Sequence, residues 1–173
     1  MGVSFIDDAP QIIKDYLFYM QTVKGKSQKT VDEYYIDLRT FFRFIKLQRG
    51  HVPEDAEFES ISIADVDLEL VKTVTLNDAY EFMNYIQRER NNQNVTRARK
   101  CSSLKGYFNY LTTKKCVLST NPVEQLEVPK KKKALPKYLT LEQSLELLNA
   151  VDGDYNERDY CILTLFLNCG LRV

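Results

Sequence analysis

The chain is 173 residues long and 44% apolar, enough for one medium-sized domain or one small domain and part of another, and too apolar for a disordered tail. Its 24 Lys and Arg balance 24 Asp and Glu, so the whole-chain charge points to neither a nucleic-acid nor a membrane partner. The longest apolar run, Cys161 to Leu167, is far short of the roughly 20 residues a bilayer span needs, and Asp7 and Asp8 stand where a signal peptide would be basic and then apolar, so a soluble, cytoplasmic protein is expected.

No Trp, six Gly and five Pro favour helices over a β-sandwich. Ile12, Ile13, Tyr16, Leu17, Met20 and Val23 recur at helical spacing after Pro10 and predict a helix over about 10–23. After Gly25, the residues Val31, Tyr34, Tyr35, Leu38, Phe41, Phe42 and Ile45 fall on one arc of a second helix, capped by Ser27 or Thr30 and ended by Gly50. Residues 51–74, with Pro53 and the acidic Glu54, Asp55, Glu57 and Glu59, read as a loop with one short helical turn.

Thr75 and Asp78 form a capping-box pattern, and Leu76, Ala79, Phe82, Met83 and Ile86 give the apolar face of a third helix ending near Arg90. Asn91 to Asn94 is the turn into a fourth helix over about 95–115, with Ala98, Cys101, Leu104, Phe108 and Leu111 on its core face. From Pro129 through Lys130, Lys131, Lys132 and Lys133 to Pro136 there is no apolar period, and adjacent like charges resist compaction, so this stretch reads as a linker. Thr140 and Gln143 open another helix through Leu141, Leu145, Leu148 and Val151. The last predicted helix, about 156–168, is apolar on nearly every side, as expected inside a larger domain; so close to Val173, it leads to the expectation that the chain is a truncated piece of something longer.

Cys101, Cys116, Cys161 and Cys169 lack the close spacing of a zinc site, His51 is the only histidine, and the cysteines are expected as reduced core residues, so no metal is assigned. The 20 Tyr and Phe side chains lie mostly at core spacing and are assigned to packing rather than base stacking.

Charge is unevenly distributed. Residues 91–133 carry 10 Lys/Arg against 2 Asp/Glu, a net +8 inside a neutral chain. On the fourth helix Thr96, Arg99, Lys100, Ser103, Tyr107 and Lys114 share an arc away from the predicted core face; on the second, Gln28, Arg39, Arg43 and Lys46 lie on one flank. Ser27, Lys29 and Thr30 cluster at that helix's N-terminus, where backbone N–H groups and the dipole favour a phosphate. Such faces suit a phosphate backbone and equally suit plain solvation, and a tetralysine run alone fits a localisation signal or any polyanion.

The pattern Ser27-Gln28-Lys29-Thr30, Tyr34, Leu38-Arg39 and Phe41, then Asn94 to Arg99, Leu104, Phe108 and Tyr110-Leu111, then Asn121-Pro122 and Pro129-Lys130, resembles the N-terminal core-binding domain of tyrosine recombinases of the phage-integrase and Xer type. Leu135-Pro136-Lys137-Tyr138-Leu139-Thr140 resembles the start of that family's catalytic domain, and Arg158-Asp159 and Gly170-Leu171-Arg172-Val173 resemble later motifs. The resemblance covers nearly the whole chain. It implies an all-α fold: a SAM-like four-helix core-binding bundle over 1–128, a basic linker over 129–137, and the first helices of a truncated catalytic domain over 138–173.

It further implies a double-stranded DNA partner, no cofactor, and contacts from Ser27, Gln28, Lys29, Thr30, Arg39, Arg43, Thr96, Arg97, Arg99 and Lys100, with Lys130 to Lys133 on phosphates. Base readout would fall to Gln28, Lys29 and Arg99. In the family a Tyr attacks the scissile phosphate, giving a 3′-phosphotyrosyl intermediate, while arginines stabilise the transition state. Arg172 matches the first catalytic Arg; no tyrosine here stands in the nucleophile's context, so this piece is expected not to cleave. The whole enzyme is expected as a tetramer on DNA and this piece as a monomer. The competing class is a helical protein-interaction module using the acidic 54–69 stretch.

Overall fold

The computed structural model describes residues 9–53, 55–127 and 138–170, and the chain divides into two compact units, residues 1–131 and 132–173. Every regular element among the described residues is helical.

In the first unit, α1 (Gln11–Phe18) begins after Pro10, which is extended at φ −64°, ψ 151°, and Tyr19–Val23 continue it as a π-helical turn. α2 (Gln28–Gln48) is capped by Ser27, whose Oγ accepts the Thr30 N–H at 3.4 Å. Gly50, at φ 66°, follows its end and takes a conformation that costs a glycine little. Residues 51–74 hold a 3-10 turn at Phe58–Ser60 and a short helix, α3 (Leu68–Lys72), where one turn was expected. The Asp67 side chain caps α3 by accepting from the Leu70 N–H at 2.9 Å. α4 (Leu76–Arg88) starts with the expected capping box of Thr75 and Asp78, and Asn91 at φ 49° turns the chain into α5 (Asn94–Thr113).

Aromatic rings fill the space between these helices. Phe41 of α2 meets Phe82 of α4 edge-on at 5.2 Å and Phe108 of α5 at 6.4 Å, and Tyr107 meets Phe42 at 6.0 Å and Tyr16 of α1 at 5.5 Å. Such edge-to-face pairs suit the ring quadrupoles and add to the area they bury. Asp37 bonds Ser103, and one turn on Phe41 packs on Phe108, so α2 and α5 run side by side in the same direction. Their N-terminal turns therefore lie at one end of the bundle.

The reading of α5 as a one-sided surface helix is corrected. Lys100 is 6% exposed, and Ser103 and Tyr107 are 0% exposed, because α5 is packed by α2, α4 and the tyrosines of α1 on different sides. Its close fit to α1 depends on Gly106, where an added Cβ would stand 2.6 Å from the Tyr16 hydroxyl.

In the second unit, α6 (Leu141–Asn149) opens with the expected capping box of Thr140 and Gln143, and α7 (Asn156–Cys169) ends at Gly170 in the left-handed region, φ 60°. The two helices pack on each other, and neither has a buried residue, so the burial expected of the last helix is not seen. Two helices cannot cover more than one face of each other. Tyr160, Ile162 and Leu165 are accordingly exposed. Among the cysteines only Cys101 is buried; Cys116, Cys161 and Cys169 are exposed free thiols, contrary to their expected core placement.

Candidate nucleic-acid interface

Ser27, Gln28 and Lys29 are exposed and Thr30 half-buried at the start of α2, where the first N–H groups point out of the helix. Ser27 Oγ also lies 3.0 Å from Thr30 Oγ1. Gln28 accepts from Gln21 at 3.0 Å and donates to Asp32 at 2.8 Å, so its amide is already oriented. At the neighbouring start of α5, Thr96, Arg97 and Arg99 are half-buried, and Gln93 at the cap position makes no side-chain bond. Arg97 donates to Asn94 Oδ1 at 2.6 Å and to Gln87.

The α5 cluster is tied to α2 by a carboxylate inside the bundle. Asp37, with a side chain wholly shielded from solvent, accepts from Arg99 Nη1 at 2.7 Å, Lys100 Nζ at 2.9 Å and Ser103 Oγ at 2.6 Å. Arg99 Nη1 also reaches Glu33 Oε2 at 2.9 Å and donates to the Glu33 carbonyl at 3.2 Å. A buried carboxylate needs partners of this kind to offset the loss of water. Neither Glu33 nor Asp37 was singled out from the sequence. The signal was there: Asp37 lies at the edge of the apolar arc of Tyr34, Leu38 and Phe41, about 40° from Phe41, where a charge is drawn into the packing and must be paired.

The other flank of α2 behaves differently. At about 100° per residue, Gln28, Arg39 and Lys46 lie roughly opposite Asp37. Lys46 donates to Asp65 at 2.7 Å and to the Ser62 carbonyl at 2.9 Å. Arg43 Nε donates to the Ile61 carbonyl at 2.8 Å, Nη1 pairs with Glu59 at 2.6 Å, and Nη2 bonds the Glu59 carbonyl. Burial lowers the pKa of Arg43, and the nearby Arg39 charge adds to this, in spite of Glu59. Arg39 is half-buried and lies over the Tyr35 ring at 5.5 Å. The acidic stretch after residue 54 therefore neutralises this flank within the fold.

Arg43 and Lys100 are thus interior side chains with carboxylate partners, and the expectation that both face outward is corrected. The sequence wheel showed where they lie on their helices but not that a loop and a neighbouring helix would cover them. The structure sets the start of α2 and the start of α5 at one end of the bundle, with Thr30 on the side of α2 that faces α5; Gln28, Arg39 and Arg43 lie on its other side. No group of three or more His, Cys, Asp and Glu that could hold a metal occurs among the described residues, and no helix among them is long and apolar enough to cross a membrane.

The family described as phage integrase, N-terminal SAM-like domain, matches residues 13–115. The chain belongs to this phage-integrase N-terminal domain family. Over 164 residues it is 49% identical to tyrosine recombinase XerC of Caldanaerobacter subterraneus subsp. tengcongensis, a match covering 95% of this chain and 46% of that protein. Tyrosine recombinase XerC of Syntrophus aciditrophicus is 31% identical over 166 residues, covering 94% of this chain and 49% of the relative. A tyrosine recombinase of Pseudothermotoga lettingae is 29% identical over 164 residues, 94% and 50% respectively. The chain spans about half the length of these curated relatives. No solved structure matches it.

For a recombinase, the remaining expected positions are Lys130, Lys131, Lys132 and Lys133 in the linker and Arg172 in the Gly-Leu-Arg-Val motif. All five lie outside the described residues.

Proposed function

We propose that this chain is the DNA-gripping portion of a site-specific tyrosine recombinase that breaks and rejoins double-stranded DNA through a 3′-phosphotyrosyl intermediate. Residues 1–128 are the core-binding domain, 129–137 a basic linker and 138–173 the start of the catalytic domain. The observation that supports this best is the parallel pairing of α2 and α5, which sets the first turns of both helices at one end of the bundle. Two helix N-termini with short hydroxyls and long cations match the groups that hold a phosphate backbone.

Gln28, Lys29 and Arg99 are the base-reading candidates in this arrangement, with Lys130 to Lys133 adding phosphate contacts and Arg172 serving as the first catalytic arginine in the whole enzyme. Arg39 contributes at most a peripheral phosphate contact, and Arg43 and Lys100 hold the fold. The chain works in the cytoplasm as a monomer, needs no metal or cofactor to bind, and leaves cleavage and tetramer assembly to the whole enzyme. The acidic stretch gives no support to a protein-interaction module, because Glu59, Asp65, Asp67 and Glu69 are engaged with Arg43, Arg90, Lys46, the α3 cap and Lys72.

The test is fluorescence anisotropy of this chain with 30-base-pair duplexes over a salt series. Each neutralised phosphate contributes a slope of about −0.9 in log K against log salt. Lys29→Glu is expected to weaken binding and to reduce the steepness by about one unit, with the circular dichroism unchanged. An isotherm that does not move with salt refutes the reading.

A further inference from the structure

We propose that Glu33, backed by Asp37, aims Arg99 at a base edge and thereby sets sequence discrimination at the position Arg99 reads; this rests on the DNA-binding reading above. Near the start of α5, buried Lys100 pairs with Asp37 of α2, and half-buried Arg99 is tied to α2 by bonds to both Asp37 and Glu33. All of those bonds run through one nitrogen: Nη1 meets Asp37 Oδ2 at 2.7 Å, Glu33 Oε2 at 2.9 Å and the Glu33 carbonyl at 3.2 Å. The guanidinium carries five N–H donors in a rigid plane. Fixing Nη1 leaves the edge formed by Nε and Nη2, a two-pronged donor of the kind that reads guanine O6 and N7.

The two carboxylates differ in character. Asp37 is buried and also holds Lys100 and Ser103, so its charge belongs to the fold as much as to Arg99. Glu33 is 44% exposed at the side chain and, among the described residues, pairs with no cation other than Arg99. It lies one turn from Lys29 and Thr30, at the edge of the surface proposed for phosphates. A carboxylate there repels the DNA backbone and weakens non-specific binding. Its pairing with Arg99 does two things at once: it orients the fork and stops the guanidinium from swinging to the nearest phosphate. An acidic residue on a DNA-facing surface is thus a device for preferring the right duplex over any duplex, through repulsion as well as attraction.

The experiment uses the whole 173-residue chain and two probes, a 30-base-pair duplex enriched from a random pool by the wild-type chain and the random pool itself. Glu33→Gln keeps the size and one acceptor oxygen but removes the charge. It is expected to tighten binding to the random pool about threefold to tenfold, to steepen its salt slope by up to about 0.9 as Arg99 takes up a phosphate, and to reduce the preference for the enriched duplex about tenfold. In an Arg99→Ala background the same change is expected to leave the preference unaltered, because Glu33 then has nothing to aim. A merely structural glutamate would shift the thermal midpoint and move neither the salt slope nor the ratio between probes. If the wild-type chain prefers the enriched duplex and Glu33→Gln keeps that ratio, the inference falls and the DNA-binding reading stands. If the wild-type chain shows no salt-dependent binding, the DNA-binding reading falls and takes the inference with it.

Discussion

Replacing Asp37 by Asn tests the ion cluster on which the α2 and α5 pairing depends. The wild-type carboxylate takes three donors, from Arg99, Lys100 and Ser103, at 2.6 to 2.9 Å. Asn keeps the shape, but its NH2 group must face one of those donors, so at least one bond is lost and the charge disappears entirely. Arg99 keeps Glu33 and some solvent; Lys100, with 7% of its side chain exposed, keeps no carboxylate. Removing one partner of a buried pair costs about 3–5 kcal/mol because the other charge stays buried. Set against the 5–15 kcal/mol of a typical domain, that is a large fraction. Urea unfolding followed by circular dichroism and tyrosine fluorescence, the chain having 11 Tyr and no Trp, measures it directly. Adding Lys100→Met should recover at least about 2 kcal/mol, since a well-packed apolar pair is often no worse than an ion pair. A loss below about 1 kcal/mol for Asp37→Asn, with an unchanged denaturant slope, would refute the assignment of Asp37 as the tie between the two helices.

Gly106→Ala gains about 1 kcal/mol of helix propensity but drives a methyl to 2.6 Å from the enclosed Tyr16 hydroxyl, so a net loss of about 1 kcal/mol is expected in urea unfolding, with much of it regained when Tyr16→Phe is added. Burial raises the pKa of both Tyr16 and Tyr107 above the ordinary phenol value, so each keeps its proton in the folded state while the unfolded chain loses it. Stability is therefore expected to be full below pH about 10 and to fall above it by about 1.4 kcal/mol per pH unit for each phenol. Tyr107→Phe should halve that slope, and because the Tyr107 hydroxyl is buried with no partner, it should leave stability at neutral pH equal or higher by up to about 2 kcal/mol; guanidine titrations at pH 8 and 11 check both. On the acid side, the hydrogen bond from Arg90 lowers the pKa of Glu59 from its ordinary 4.5, and the bond from Lys46 lowers that of Asp65 from 3.8. Their contribution is present above those values and lost as the pH falls through the lower folded-state ones, so thermal midpoints should drop below pH 4, less steeply in Glu59→Gln.

Much of the fold was legible because it rests on local signals. The capping boxes at Thr75 and Thr140, the Ser27 cap and the aromatic spacing of α2 each work within one helix, and all appear where expected. The loop at 51–74 was read less well, since its short helix depends on an aspartate cap in a segment with no apolar period. The candidate site was legible only in part. Ser27, Gln28, Lys29, Thr30, Thr96, Arg97 and Arg99 could be proposed from charge and hydroxyl placement, but whether a cation faces solvent depends on what packs over it. Arg43 and Lys46 were covered by the 59–65 segment, and Lys100 by α2; both covers come from elsewhere in the chain.

Those covers also change how the basic segment is to be understood. A net +8 over residues 91–133 suggests a uniformly positive surface, yet Lys100 ends in Asp37, Arg99 is shared by Asp37 and Glu33, and Lys115 pairs with Asp15. Helix α5 therefore uses part of its charge to hold α2, and Lys115 just beyond its end holds α1. What it turns outward is a small set placed by those ties. If that surface binds phosphate as proposed, it loses non-specific attraction but gains fixed geometry, because Arg99 is held beside the inward Lys100 by the same carboxylate. Under the proposed DNA-binding function, a few oriented cations would discriminate among duplexes better than a larger mobile cloud, since attraction to phosphate is the same for every sequence and only a fixed fork can tell one base edge from another.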